Sequence, residues 1–217
     1  MQFLKAKNHL CQPKTGKMEG RTLVFASHNR NKGQEAEVLL KPLRILSLED
    51  LDFHEDIPET GSTLSENAAL KVRAVFARFP QYPVFADDTG LMVEALEGRP
   101  GVYSARYAGP GAKAEDNCRK LLAELAGQDN RRAYFATAIA LQIPGEDLRF
   151  FEGRVHGTIG RELAGAGGFG YDPLFVPDGY AQSFAEMDPA MKNRLSHRGR
   201  ALGQLRDFLQ SAGAEKS

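Results

Sequence analysis

Apolar positions along this chain fall into short uninterrupted runs and helical stripes separated by polar punctuation. Residues 21–26, Arg-Thr-Leu-Val-Phe-Ala, form a bounded apolar run that predicts a short buried strand. A polar turn follows at 27–31. From Lys32, the positions of Ala36, Val38, Leu39 and Leu40 predict a helix that Pro42 stops. Residues 43–48 predict a second strand, and 51–61 are acidic and irregular. Thr63 should open the next helix. Thr63-x-x-Glu66 has capping-box spacing, and Leu64, Ala68, Val72 and Val75 form a stripe behind it. Pro80 and Pro83 bracket its end. Residues 82–86 then read as a buried strand that finishes at Asp87-Asp88.

The second half begins with a turn at 109–111 and a helix carrying Cys118, Leu121, Leu122 and Leu125. Residues 132–143 predict a long strand, Pro144-Gly145-Glu146-Asp147 a turn, and 149–158 the returning strand of a hairpin. Residues 165–170 are glycine-rich, and 173–177 predict a short strand. Ser183-x-x-Glu186 repeats the capping-box spacing. Leu202, Leu205, Phe208 and Leu209 mark a last amphipathic helix. There is no internal repeat and no long linker. Early alternation of strands and helices followed by a hairpin gives an α/β class with a mixed sheet. Residues 21–212 read as one domain. Residues 1–20, polar and broken by Pro and Gly, read as a flexible extension with Met18 available as an alternative start.

Composition narrows the function classes. The 217 residues are 42% hydrophobic and 26% charged, a globular balance. Lys+Arg and Asp+Glu both number 28, so the long-range basic field that would attract nucleic acid or an anionic membrane is not expected. A small anionic ligand remains open, because a local cluster of donors can bind one. Cys11 and Cys118 have neither redox nor zinc spacing. No apolar run approaches the ~20 residues that span a bilayer, and no signal-peptide core is present. The expected location is the cytoplasm.

Five segments carry candidate chemistry. In Val84-Phe85-Ala86-Asp87-Asp88-Thr89-Gly90-Leu91, two carboxylates follow an apolar strand. Alternation along a strand points them in different directions, so one could reach a metal or water while the other orients the loop. Equally, Asp88 or Thr89 could cap a helix. Glu59 stands before a helix N-terminus and could join Asp88 on Mg²⁺, which uses one or two carboxylates together with phosphate oxygens. Alternatively it belongs to a solvated acidic loop with Glu55 and Asp56. Ser27-His28-Asn29-Arg30-Asn31-Lys32 is a donor-rich strand-to-helix turn suited to phosphate, or an ordinary capped turn; it is not a Walker A loop. Residues 165–172 combine glycines with Phe169, which could stack on a base or anchor a loop. Lys192, His197 and Arg198 could neutralise phosphate and donate to a purine 6-oxo group, while Ser196 would cap the last helix.

Together these segments resemble the inosine/xanthosine triphosphate pyrophosphatases over about residues 23–208. The most specific stretch is Ala86-Asp87-Asp88-Thr89-Gly90-Leu91 continuing to Pro100-Gly101-Val102-Tyr103-Ser104-Ala105-Arg106-Tyr107-Ala108-Gly109. Glu59-Thr60-Gly61, Asn67-Ala68 with Lys71, Gly168-Phe169-Gly170-Tyr171-Asp172-Pro173 and Ser196-His197-Arg198 follow the family's order. The resemblance implies a two-lobed α/β fold with a central nucleotide cleft. It also implies a homodimer, with residues 103–107 near its contact. The implied activity is Mg²⁺-dependent hydrolysis of ITP, dITP and XTP to the monophosphate and pyrophosphate, which keeps deaminated purines out of DNA and RNA. Ser27, His28, Asn29, Arg30, Asn31 and Lys32 would hold the triphosphate. Glu59 and Asp88 would bind Mg²⁺, with Asp88 also the proton acceptor. Thr89, Phe169, Gly170, Tyr171, Asp172, Lys192, His197 and Arg198 would complete the nucleotide site.

The first motif departs from the family's usual Thr-Gly-Asn-x-Gly-Lys. Ser27 keeps a hydroxyl, His28 adds bulk, and Asn31 tolerates a left-handed backbone better than most non-glycine residues. Thr89 stands where Ser is common. Two rivals remain: a Maf-like pyrophosphatase acting on other nucleotides, and a nucleotide-binding regulatory module without catalysis.

Overall fold

The strand β1 (Thr22–Phe25) runs straight into the interior, with Leu23, Val24 and Phe25 buried. The computed structural model describes residues 22–214; the 1–20 extension, with Met18 and Cys11, lies outside them. Helix α1 (Arg30–Leu39) starts two residues before the expected Lys32, because Asn29 caps it by accepting from Lys32 N at 3.2 Å. After β2 (Arg44–Leu46), helix α2 (Leu64–Arg78) begins where the spacing predicts. Thr63 Oγ1 accepts from Glu66 N, and Glu66 Oε2 accepts from Thr63 N, a complete capping box.

Strand β3 (Val84–Val93) overturns one expectation. It does not finish at Asp87-Asp88 but continues through Thr89 and Gly90. The reason is long-range pairing. Each residue from Val84 to Val93 lies opposite one of β5, from Gln142 to Ala133, so the ladder satisfies the backbone polar groups that a Thr-Gly turn would have used. Asp88 and Thr89 therefore cap no helix. Gly90 lets β4 (Pro100–Gly101) approach: a Cβ there would sit 2.6 Å from the Gly101 carbonyl oxygen.

Helix α3 (Ala114–Glu124) buries Cys118 and Leu121, and the predicted hairpin forms as β5 (Arg132–Gln142) and β6 (Arg149–Ile159). Strand β7 (Phe175–Pro177) follows. Ser183-x-x-Glu186 makes only a turn, with Glu186 accepting from Ser183 N at 2.8 Å. The Ser183 hydroxyl instead donates to Ala164 O, so the next helix, α4 (Pro189–Leu195), is capped by Asp188. Ser196 accepts from Gly199 N at the head of α5 (His197–Ala214).

The strands form one mixed sheet in the order β2-β1-β3-β5-β6-β7, with β4 paired to β3. Three main clusters of core share its long strands. The beginning of β3 and the end of β5 pack with β1 on both faces, under α1 and α5 through Phe85, Ile139 and Leu205 and under α2 through Val72 and Val84. The end of β3 and the beginning of β5 pack with α3 and β7, through Leu91, Phe135, Leu121 and Phe175. Between these cores lie Asp87, Asp88, Thr89 and Thr137. The polar middle of β3 is where the two lobes meet.

Candidate active site

Alternation along β3 sends the two aspartates to opposite faces, and each face supplies different partners. Asp87 faces α1 and α5. Arg198 Nε donates to its Oδ2 at 2.9 Å, and Lys32 Nζ stands 3.1 Å from Oδ1 as an ion pair without an aligned hydrogen bond. Asp88 faces α2. Asn67 Nδ2 donates to its Oδ2 at 3.0 Å, and Lys71 Nζ lies 3.6 Å from Oδ1.

Those surroundings push their ionisation apart. Burial favours the neutral form of Asp87, but Lys32, Arg198 and Lys71 outweigh it and hold the carboxyl far below the usual range. At Asp88 burial wins: its carboxyl is raised, with Lys71 and Lys32 opposing and Glu59 adding to the rise. Burial likewise depresses Lys32, against the pull of Asp87. Lys71 goes the other way, because Asp88, Asp87 and Glu59 overcome its burial.

Glu59 reaches the same place from the loop before α2. It accepts from Lys71 Nζ at 2.9 Å and lies 3.4 Å from Arg106. One ammonium thus sits against both Glu59 and Asp88. Two hard carboxylate donors converging on one cation fit Mg²⁺, which completes its shell with phosphate oxygens and water. Among the described residues no cluster of three or more His, Cys, Asp or Glu side chains forms a metal cage; an ion shared with substrate phosphates would need only one or two carboxylates.

A second network closes the other side. Glu35 bridges two cations, accepting from Arg198 at 2.7 Å and from Lys192 at 3.1 Å. Lys192 also donates to Asp172 at 2.7 Å, and Asp172 accepts from Phe169 N at 2.7 Å. Gly168, at φ +71°, makes room for that bond; a Cβ there would lie 2.2 Å from Asp172 Oδ2. The Phe169 ring sits 4.7 Å from Lys192 Nζ and 5.4 Å from the Arg198 guanidinium carbon. Tyr171 is buried, its hydroxyl donating to Ser104 O. His197 is buried and stacks on Phe135 at 4.5 Å, with Nδ1 lacking a hydrogen-bond partner. Burial, then Arg198 and Lys192, drive its basicity well below normal, so the ring is neutral.

These groups surround a cleft of about 520 Å³. Ser27, His28, Asn29, Asn31 and Lys32 line it from the first motif, with Glu59, Asp88 and Thr89 from the centre. Phe169, Gly170, Tyr171, Asp172, Lys192, His197 and Arg198 line the far wall. Arg30 is the exception: it faces solvent and donates to Glu49 at 3.0 Å. Being the first residue of α1, it turns away from the side that carries Lys32 and Glu35. Ser27 accepts from Asn29 N at 3.2 Å, so its hydroxyl also shapes the turn. His28 reaches Glu55 O. Asn31 lies in the first turn of α1, so its tolerance of a left-handed backbone is not used.

The chemistry of the motifs does not single out Glu35, Asn67 and Lys71, yet the sequence carries signals for them. Glu35 lies three residues beyond Lys32, a spacing that puts both on one helical face. Asn67 and Lys71 interrupt the apolar stripe of α2, and both are buried. A polar residue inside a buried stripe calls for a specific partner.

A family model described as the Ham1 family matches residues 23–208. A Porphyromonas gingivalis protein named dITP/XTP pyrophosphatase is 50% identical over 192 residues, covering 88% of this chain and 98% of the relative. A Flavobacterium johnsoniae protein of the same name is 48% identical over 188 residues, covering 86% and 97%. Among solved structures, the Staphylococcus aureus Ham1 protein superposes with a TM-score of 0.80 at 38% identity, covering 88% of this chain and all of that one. A Mycobacterium abscessus dITP/XTP pyrophosphatase gives 0.68 at 40% identity, covering 85% and 98%.

Proposed function

This chain belongs to the Ham1 family, and on that footing we propose that it hydrolyses ITP, dITP and XTP to the nucleoside monophosphate and pyrophosphate, clearing deaminated purines from the nucleotide pool. Relatives that share about half its residues carry the name of that activity. The observation that carries the proposal is the pair of adjacent carboxylates. Asp87 is locked as an anion between Lys32 and Arg198, while Asp88 is raised and opens, beside Glu59 and Lys71, on a cleft lined by cations and carboxylates alike. Neighbouring acids pushed apart in this way divide their roles: one holds position, and the other trades a proton.

In the proposed reaction, Asp88 accepts a proton from water as the water oxygen attacks the α-phosphorus. The bond from that phosphorus to the bridging oxygen breaks, and the electron pair leaves with pyrophosphate. Lys32 and Lys192 offset phosphate charge. Lys71 holds Glu59 and Asp88 close together, and Asn67 fixes the second oxygen of Asp88. Mg²⁺ held by Glu59 and Asp88 would supply Lewis-acid polarisation of the phosphoryl oxygens. Neutral His197 and Arg198 offer donors to a 6-oxo group, where adenine presents an amine of its own. Rejection of GTP rests on its 2-amino group.

The test is pyrophosphate release with Mg²⁺ across dITP, XTP, ATP, dTTP and UTP. Release from dITP and XTP well above the others is expected. Equal rates on ATP and dITP would sink the base preference, and preference for dTTP or UTP would favour the Maf-like alternative. Nucleotide binding without release would leave a regulatory module. Asp88→Asn should lose about 10²-fold or more in turnover, the scale of general-base help, with an unchanged circular dichroism spectrum. The homodimer implied by the resemblance and the cytoplasmic location expected from the sequence belong to the same proposal, and light scattering tests the first. No helix among the described residues is long and apolar enough to cross a membrane.

A further inference from the structure

Thr137 of β5 lies directly opposite Thr89 of β3, and their hydroxyl oxygens are 2.7 Å apart. Thr89 lines the cleft, whereas Thr137 does not and is only 1% exposed. The distance alone does not say which hydroxyl donates. The surrounding bonds do. Among the described residues, Thr89 is the hydrogen-bond partner of the Thr137 hydroxyl. If Thr89 donated to Thr137, the Thr137 proton would be left buried without an acceptor, a costly arrangement. If Thr137 donates, both protons can be used.

Thr89 Oγ1 also accepts from Arg198 at 3.2 Å. Accepting from Thr137 as well fills both of its lone pairs. Its own proton then has two outlets: Asp87 Oδ2, which it reaches only through a long bond of 3.4 Å beside the 2.9 Å bond from Arg198 Nε, or a closer oxygen brought into the cleft. We infer that Thr137 is a positioning residue that makes the Thr89 hydroxyl a committed proton donor toward an oxygen of the bound nucleotide. Thr137 forms no part of the cleft wall. It acts by occupying the acceptor site through which Thr89 would otherwise be free to receive a proton, and by fixing the side-chain rotation with a second bond. The inference rests on the cleft being the nucleotide site.

The experiment is a double-mutant cycle on the full chain: Thr89→Val, Thr137→Val, both together, and Thr137→Ser, each measured for kcat and KM on dITP. Thr137→Val keeps the shape of threonine and should lower kcat/KM about five- to tenfold. Thr137→Ser, which retains the donor, should recover to within about twofold of the parent. With Thr89 already replaced by Val, Thr137→Val should add less than about twofold, because its route of action is gone. Additive losses, no loss in Thr137→Val, or an equal loss in Thr137→Ser would overturn the inference. A parent protein that releases no pyrophosphate from any nucleotide would refute the proposed function instead. Calorimetric affinity for dITP in the same variants then decides: non-additive losses support the donor relay, while additive losses or the absence of binding overturn it.

Discussion

His197 is held neutral against its own surroundings. Its ring is buried against Phe135, with Arg198, Lys192 and Lys32 disfavouring a further positive charge and Asp87 favouring one. Its basicity in the folded protein is therefore well below the value of about 6.5 that it has in an unfolded chain. As pH falls below about 6.5, the unfolded chain binds a proton that the folded chain refuses. The His197 contribution to stability is complete above that pH and is lost on acidification toward its folded value. The slope approaches about 1.4 kcal/mol per pH unit for a single proton. His197→Phe should flatten the fall in melting temperature between pH 6.5 and 5, and parallel curves for the two proteins would contradict this account. Burial acts in the same direction on Cys118, disfavouring its charged form and raising its thiol to about 11. That thiol donates to Gly170 O and is buried, which suits a structural part rather than a reactive one.

At the scale of elements, the contact between β6 and α5 decides whether the cleft is assembled. α5 carries His197 and Arg198 on its first turn, and it reaches the sheet because β6 has glycine at 153. A Cβ there would fall 2.0 Å from His197 O and 2.7 Å from Ala201 N, both rigid backbone atoms. Gly153→Ala should push the start of the helix off the sheet. Overpacking of this kind costs about 1–3 kcal/mol, and about 2 kcal/mol would lower the melting temperature by about 4–8 °C in a domain of this size. Activity should fall further than stability alone explains, because Arg198 moves away from Asp87. A melting curve and a dITP assay on one preparation check both halves of the prediction. Helix α2 plays the matching part on the other face, where its capping box fixes the first turn and so the face from which Asn67 and, one turn on, Lys71 project.

Across the whole molecule, a formally neutral chain gathers Lys32, Lys71, Lys192 and Arg198 around one cleft together with Glu35, Asp56, Glu59, Asp88 and Asp172. Pyrophosphate, the product of the proposed reaction, should stabilise the folded state when Mg²⁺ is added with it. At about 100 times its dissociation constant the gain is about 2.7 kcal/mol, which thermal unfolding would register as a rise of several degrees. Lys32→Met should weaken that response, and an unchanged shift would mean that the anion binds elsewhere. The fold class, the hairpin from Arg132 to Ile159, the capped start of α2 and the short motifs were legible in the sequence, since periodicity, turn residues and caps act over a few neighbouring positions. Every site residue expected from the sequence except Arg30 lines the cleft, but Glu35, Asn117 and Phe135 line it too and stand in none of those motifs. The passage of β3 through Asp87-Asp88 was not legible, because β5, some fifty residues away, supplies its ladder. The outward turn of Arg30, the bridge from Glu35 to an arginine 163 positions later, and the pairing of Thr89 with Thr137 were equally hidden. Local pattern states which residue types stand near one another along the chain. Which carboxylate is locked as an anion and which is free to take a proton depends on burial and on charges brought from distant segments, and only tertiary packing decides those.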